Sequence, residues 1–102
     1  MYRIDVTRRA RKELETAKKN GCGVEINKIL KVVERDPFEP TPGHRFEKLV
    51  GELKDHYSRR INYHNRFIYT VLPNTEGAKD IYGKPYEGVV RIHKCWEHKY
   101  KR

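Results

Sequence analysis

The chain carries only two cysteines, Cys22 and Cys95, with one methionine and one tryptophan in 102 residues. Two thiols cannot build the disulfide framework on which small secreted folds rely. No apolar run approaches the roughly 18 residues needed to cross a bilayer. The opening residues, Met1 to Val6, lack the apolar stretch of a secretory leader. These absences predict a soluble, cytoplasmic protein without a membrane partner. Acidic residues are also scarce, 14 against 23 lysines and arginines, which leaves a net charge of +9. Such an excess on a small chain points to nucleic acid or an acidic protein segment as partner.

Hydrophobic residues make up 36% and charged residues another 36%, so the core must be small. A chain of this size buries about 65% of its unfolded surface, enough for one modest core. We expect a single domain over 1–102, and an aromatic content of 11% argues against disorder.

Arg3 to Val6 reads as a short strand, and Thr7 as a helix cap whose hydroxyl accepts from a first-turn amide. Arg8 to Lys19 is rich in helix formers, with Ala10, Leu14 and Ala17 as a narrow apolar stripe. Asn20-Gly21 stops that helix. Gly23 to Arg35 forms a second, in which Ile26, Ile29, Leu30 and Val33 recur at i, i+3, i+4, i+7. Asp36-Pro37 ends it, because the residue before proline leaves the α region. Pro37 to Gly43 reads as a loop, Arg45 to Val50 as a strand and Gly51 to His56 as a turn.

Tyr57 to Ile61 and Arg66 to Val71 then form a hairpin around Asn62 to Asn65. Pro73 to Glu87 is a long excursion, which Tyr82 and Tyr86 are expected to pin down. Gly88 to Trp96 is the last strand, and Glu97 to Arg102 a basic tail. The order β-α-α-β-β-β-β predicts an α+β fold, two N-terminal helices on a twisted, mainly antiparallel sheet of four to five strands.

The hairpin is unusual in carrying three arginines, Arg59, Arg60 and Arg66. Alternation sets Phe67, Tyr69 and Val71 on one face and Arg66, Ile68 and Thr70 on the other, and it turns Arg60 away from Ile61. Arg60 and Arg66 thus share a basic sheet face suited to phosphate. Glu47 within a strand and His98 beyond the last one complete a set able to cleave RNA. A carboxylate can take the 2′-hydroxyl proton, a histidine can protonate the leaving 5′-oxygen, and arginines can stabilise phosphoryl charge. Taken singly, each is more commonly what a solvated, ion-paired surface carries. The spacing His93-x-Cys95-x₂-His98 lacks a fourth ligand for zinc, so neither metal nor cofactor is expected. His44, His56 and His64 fall in loops and suggest nothing specific.

The segments Asp36-Pro37-Phe38-Glu39, Phe46-Glu47-Lys48-Leu49, Tyr57-Ser58-Arg59-Arg60-Ile61, Asn65-Arg66-Phe67-Ile68-Tyr69 and Trp96-Glu97-His98 together resemble the YoeB/Txe toxins of the RelE superfamily. The resemblance implies a type II toxin that cleaves mRNA in the ribosomal A site without a metal. It implies Glu47 as general base, Arg66 with Arg60 as phosphate-stabilising groups and His98 as general acid. Arg59 matches a basic position beside the site and is expected to contact RNA. The family ends His-Tyr; here Lys99 intervenes, and Tyr100 stands in the expected RNA-positioning role one residue later. The implied partners are an acidic antitoxin of the YefM/Axe kind, the ribosome and mRNA, with a homodimer or a toxin–antitoxin hetero-oligomer as the assembly. Two other readings remain, a non-catalytic RNA- or ribosome-binding module and a regulatory protein that acts only with its antitoxin.

Overall fold

The computed structural model describes residues 1–63 and 65–95. Strand β1 (Arg3–Val6) leads directly into helix α1 (Arg8–Ala17). Thr7 is extended, and its Oγ1 accepts from the Ala10 amide at 3.1 Å. Helical dihedrals give out at Asn20 and Gly21, inside the Lys18–Cys22 turn, so the first helix stops where Asn20-Gly21 predicts. Gly21 makes that turn possible: its φ of +89° lies in the left-handed region that side-chain-bearing residues avoid.

Helix α2 (Gly23–Arg35) buries Ile26, Ile29 and Val33 completely, as their spacing predicts. It brings the chain back to its start, where the Tyr2 amide donates to the Glu34 carbonyl at 2.7 Å. It ends on Asp36, which is extended before Pro37.

Strands β2 (Glu47–Lys48), β3 (His56–Arg60), β4 (Arg66–Leu72) and β5 (Val89–Lys94) complete a sheet in the order β1-β5-β4-β3-β2. Among the described residues only β1 and β5 run parallel; the other three pairings are antiparallel. The helices cover one face. Phe67, Tyr69, Val90 and Ile92 are fully buried against them and share a core with Ala10, Ala17, Ile29 and Val33. The expected architecture is therefore the observed one.

Three local expectations need correction. The strand placed over 45–50 shrinks to Glu47–Lys48, paired with Ser58 and Tyr57. Phe46 turns inward to stack on Tyr57 at 5.8 Å, whereas Val50 is 84% exposed. His56, expected in a turn, is the first residue of β3. The excursion is held by Asn74 and Asp80 rather than by tyrosine rings. Asn74 Nδ2 donates to the carbonyls of Ala78 and Tyr86, and its Oδ1 accepts from the Ala78 amide. Asp80 Oδ1 accepts from the amides of Tyr82 and Lys84. Tyr82 itself is 87% exposed, and Tyr86 contributes through its amide, which donates to Ala78.

Candidate active site on the open face of the sheet

Strand pairing assembles the site. Glu47 lies opposite Ser58, Ser58 opposite Ile68, and Arg60 opposite Arg66. Cross-strand partners share a face, so all five belong to the face away from the helices. Arg66 Nη1 donates to Glu47 Oε1 at 2.9 Å and to Ser58 Oγ at 3.0 Å. Arg45 Nε reaches Glu47 Oε2 at 3.3 Å. The carboxylate thus stands between two guanidinium groups, partly exposed, while the Arg66 side chain retains only 16% of its accessible surface. A cavity of about 410 Å³ opens over this group, with Leu49, Leu53 and Ile68 as its apolar walls. Arg60 is half-buried, and among the described residues its side chain makes no hydrogen bond or ion pair. An anion entering here meets two guanidinium groups from adjacent strands, with a carboxylate beside one of them.

Arg59 does not join them. Its residue is fully buried on the helix-facing side. Nε donates to Tyr69 Oη at 3.0 Å, Nη2 to the Pro37 carbonyl at 3.1 Å and Nη1 to Thr41 Oγ1 at 3.4 Å, and the guanidinium lies 4.8 Å from the Phe46 ring centre. A side chain without accessible surface cannot bind RNA in this state, so the expected RNA contact is replaced by a core role. Arg59 ties the 37–46 loop to the sheet and thereby fixes the approach to Glu47. Burial pushes the Tyr69 hydroxyl up to about 12, against the opposing pull of Arg59.

His98 and Tyr100 lie outside the described residues, as does Trp96. So does His98 of the spacing considered for zinc. Among the described residues no three histidine, cysteine or acidic side chains gather as a metal site. Cys95 is buried, with Sγ donating to the Ala10 carbonyl at 3.4 Å, and burial and then Glu13 push its thiol up to about 12.

Sequence reasoning missed Ser58 and Arg45, which position Glu47 and Arg66. Alternation alone would have put Ser58 on the face of Arg60. It also missed His44, which is buried with Nε2 2.6 Å from Glu25 Oε1. That contact is the main reason the Glu25 carboxyl lies below the usual range, although burial opposes it.

A family model described as the YoeB-like toxin of bacterial type II toxin–antitoxin systems matches residues 14–81, the span that carries Glu47, Ser58, Arg60 and Arg66. The chain belongs to this family. The toxin YoeB of Synechocystis sp. is 39% identical over 46 residues, 45% of this chain and 51% of that protein, so the matched stretch spans about half the curated relative. The YoeB/ParE toxin from Agrobacterium tumefaciens has the same fold, with a TM-score of 0.73 at 20% identity over 95% of this chain and 99% of that one. YoeB from Staphylococcus aureus, solved as a dimer, gives a TM-score of 0.70 at 27% identity over 96% and 98%. The S. aureus YoeB–YefM complex gives 0.67 at 26% over 97% and 99%. This YoeB-like chain thus keeps the family's sheet and helices around Glu47 and Arg66.

Proposed function

We propose that this YoeB-like toxin is a metal-independent endoribonuclease that cleaves mRNA in the A site of the translating ribosome, and so acts in the cytoplasm. The observation that carries the reading is Glu47 held by Arg66 on the open sheet face, with Arg60 beside it. A phosphate drawn to the two arginines competes with Glu47 for Arg66 Nη1. The Glu47 oxygen so released is the group that accepts the 2′-hydroxyl proton. The 2′-oxygen attacks phosphorus, the bond from phosphorus to the 5′-oxygen breaks, and His98 supplies the proton that the leaving oxygen needs. The products are a 2′,3′-cyclic phosphate and a 5′-hydroxyl. Arg66 and Arg60 stabilise the charge on the phosphoryl oxygens, and Tyr100 helps position the RNA. His98 suits the role by sequence: it stands four residues beyond Lys94, which pairs with Ile68 in the wall of the cleft.

The partners follow from the same reading. The +9 charge suits ribosomal RNA and an acidic antitoxin segment laid over the basic face. The S. aureus structures supply the precedent for a dimer and a YefM-bound assembly.

The deciding substrate is an mRNA with a 2′-deoxy nucleotide at the scission position. It should occupy the A site and resist cutting, while the ribonucleotide version is cut. Normal cutting would mean that water attacks, and the mechanism would fall. Glu47→Gln and His98→Gln should each reduce the single-turnover rate by about 10²-fold or more. Their effects and that of Arg66→Ala should not add, because all three act on one step. Cleavage should also survive chelation when ribosome integrity is maintained with polyamines.

A second reading has an observation of its own. The double ion pair of Glu47 with Arg66 and Arg45 is also what a purely structural carboxylate makes. On that reading the protein binds the ribosome without cutting, or serves only as the antitoxin's partner in regulation. Intact mRNA on ribosomes saturated with the wild-type protein would favour it.

A further inference from the structure

Beside the cleft lies a second cavity, of about 420 Å³, on the same face of the sheet. The two share Leu53 and Ile68 as a common wall. The second is floored by His56 of β3 and His93 of β5, whose ring centres are 5.2 Å apart and tilted by 50°. Its rim carries Lys94 and Arg9. Arg9 is engaged by Glu13 at 3.0 Å; among the described residues Lys94 has no ion pair.

The floor is a product of the backbone. Ile68 pairs with Lys94 but Tyr69 with Ile92, so β5 has one residue more than β4 at this point, and that residue is His93. The bulge breaks the alternation. Ile92 and Cys95 are both buried, while His93 and Lys94 in succession line the same cavity. A regular strand would have sent one of them to the helix side. Bulges of this kind re-aim side chains next to functional sites. Thr70 Oγ1 lies 2.9 Å from His93 Nε2 and fixes the ring. His56 Nδ1 lies 3.2 Å from the Lys54 carbonyl.

We propose that this cavity is a second nucleotide subsite, which takes the base of the RNA residue next beyond the two that flank the scissile phosphate on the rings of His56 and His93 and its phosphate on Lys94. The proposal rests on the reading of the Glu47–Arg66 cleft as an RNA-cleaving site and extends it by one nucleotide. Aromatic rings next to a cation, in a groove continuous with a phosphate-binding face, are the equipment of single-strand binding. Stacking on imidazole accepts any base, so the subsite adds affinity and register without a strict sequence preference.

The test uses 2′-O-methyl di- and tetranucleotides, which lack the nucleophile, titrated against the full chain by fluorescence anisotropy at low salt. The tetranucleotide should bind about tenfold tighter than the dinucleotide. His56→Ala with His93→Ala should erase most of that gain and leave the dinucleotide affinity within about twofold. His56→Phe, which keeps a ring, should retain the gain, and Lys94→Gln should lose part of it. Equal affinities of the two probes, or a gain that survives the double alanine variant, would overturn the subsite. Dinucleotide binding indifferent to Arg66→Ala and Arg60→Ala would instead count against the cleft as the phosphate site, and it leaves the length-dependent comparison readable in its own right.

Discussion

The Arg59 guanidinium makes three hydrogen bonds beneath the sheet, whereas that of Arg60 belongs to the opposite face. Their substitutions should separate accordingly. Lysine cannot span the three acceptors held by a planar fork, so Arg59→Lys should cost about 2–3 kcal/mol. The urea midpoint should fall with an unchanged slope. Arg60→Lys should stay within about 0.5 kcal/mol, because among the described residues the half-buried Arg60 side chain has no hydrogen bond or ion pair to lose. Equal midpoints for the two variants would remove the core role given to Arg59. The sequence held this distinction in its alternation: Arg59 falls two positions from Ile61 and from Tyr57, on the inner side. Charge argued the other way, and nothing local announces that Pro37, Thr41 and Tyr69 wait there as acceptors.

His93 gives a second expectation at this scale. Burial, then His56 and Arg91, lower its pKa below the ordinary 6.5, with Asp5 opposing. The unfolded chain therefore takes up this proton first. Stability should decline as pH falls through about 6.5 and level off below the folded value. His93→Gln should flatten that part of the urea-midpoint profile between pH 8 and 5.5.

Among the elements, α2 was legible because a four-residue apolar period needs no partner to be recognised, and Ile26, Ile29 and Val33 are buried as that period requires. The hairpin was legible for the same reason, since its turn chemistry and alternation are local. β2 was not. Its two residues are a strand only because Ser58 and Tyr57 stand opposite, and Phe46 leaves the ladder for the Tyr57 ring. The bulge at His93 was equally hidden, being a relation between β4 and β5 rather than a property of either. His98 and Tyr100 fall outside the described residues, so their part of the site rests on the resemblance. The excursion offers a test of its own. Asn74→Ala removes three hydrogen bonds that close it. Amide exchange over 75–86 should accelerate about tenfold or more, while global stability changes by less than about 1 kcal/mol, because this segment opens separately from the core. Uniform acceleration across β4 and β5 would show that the excursion is part of the cooperative unit.

For the whole molecule, a charge of +9 gathered on a small chain makes association electrostatic. On the proposed reading, ribosome affinity should fall steeply and linearly on a log–log plot against salt, by about one unit of slope per phosphate contacted. Arg60→Ala should reduce that slope by about one, and a flat response would remove the electrostatic argument. The sheet has a further consequence, one of timing. Its parallel pair joins Arg3 to Val89, so the first strand waits for the last before it has a neighbour. Val90 and Ile92 of that last strand also fill the core between the helices and β4. During synthesis the helices and the central hairpin emerge with the inner side of the sheet incomplete. A nascent chain arrested before Val89 clears the exit channel is expected to be cut readily by protease and to dock on no ribosome. The inner side of the sheet thus closes only when Val89–Lys94 joins the strands made before it.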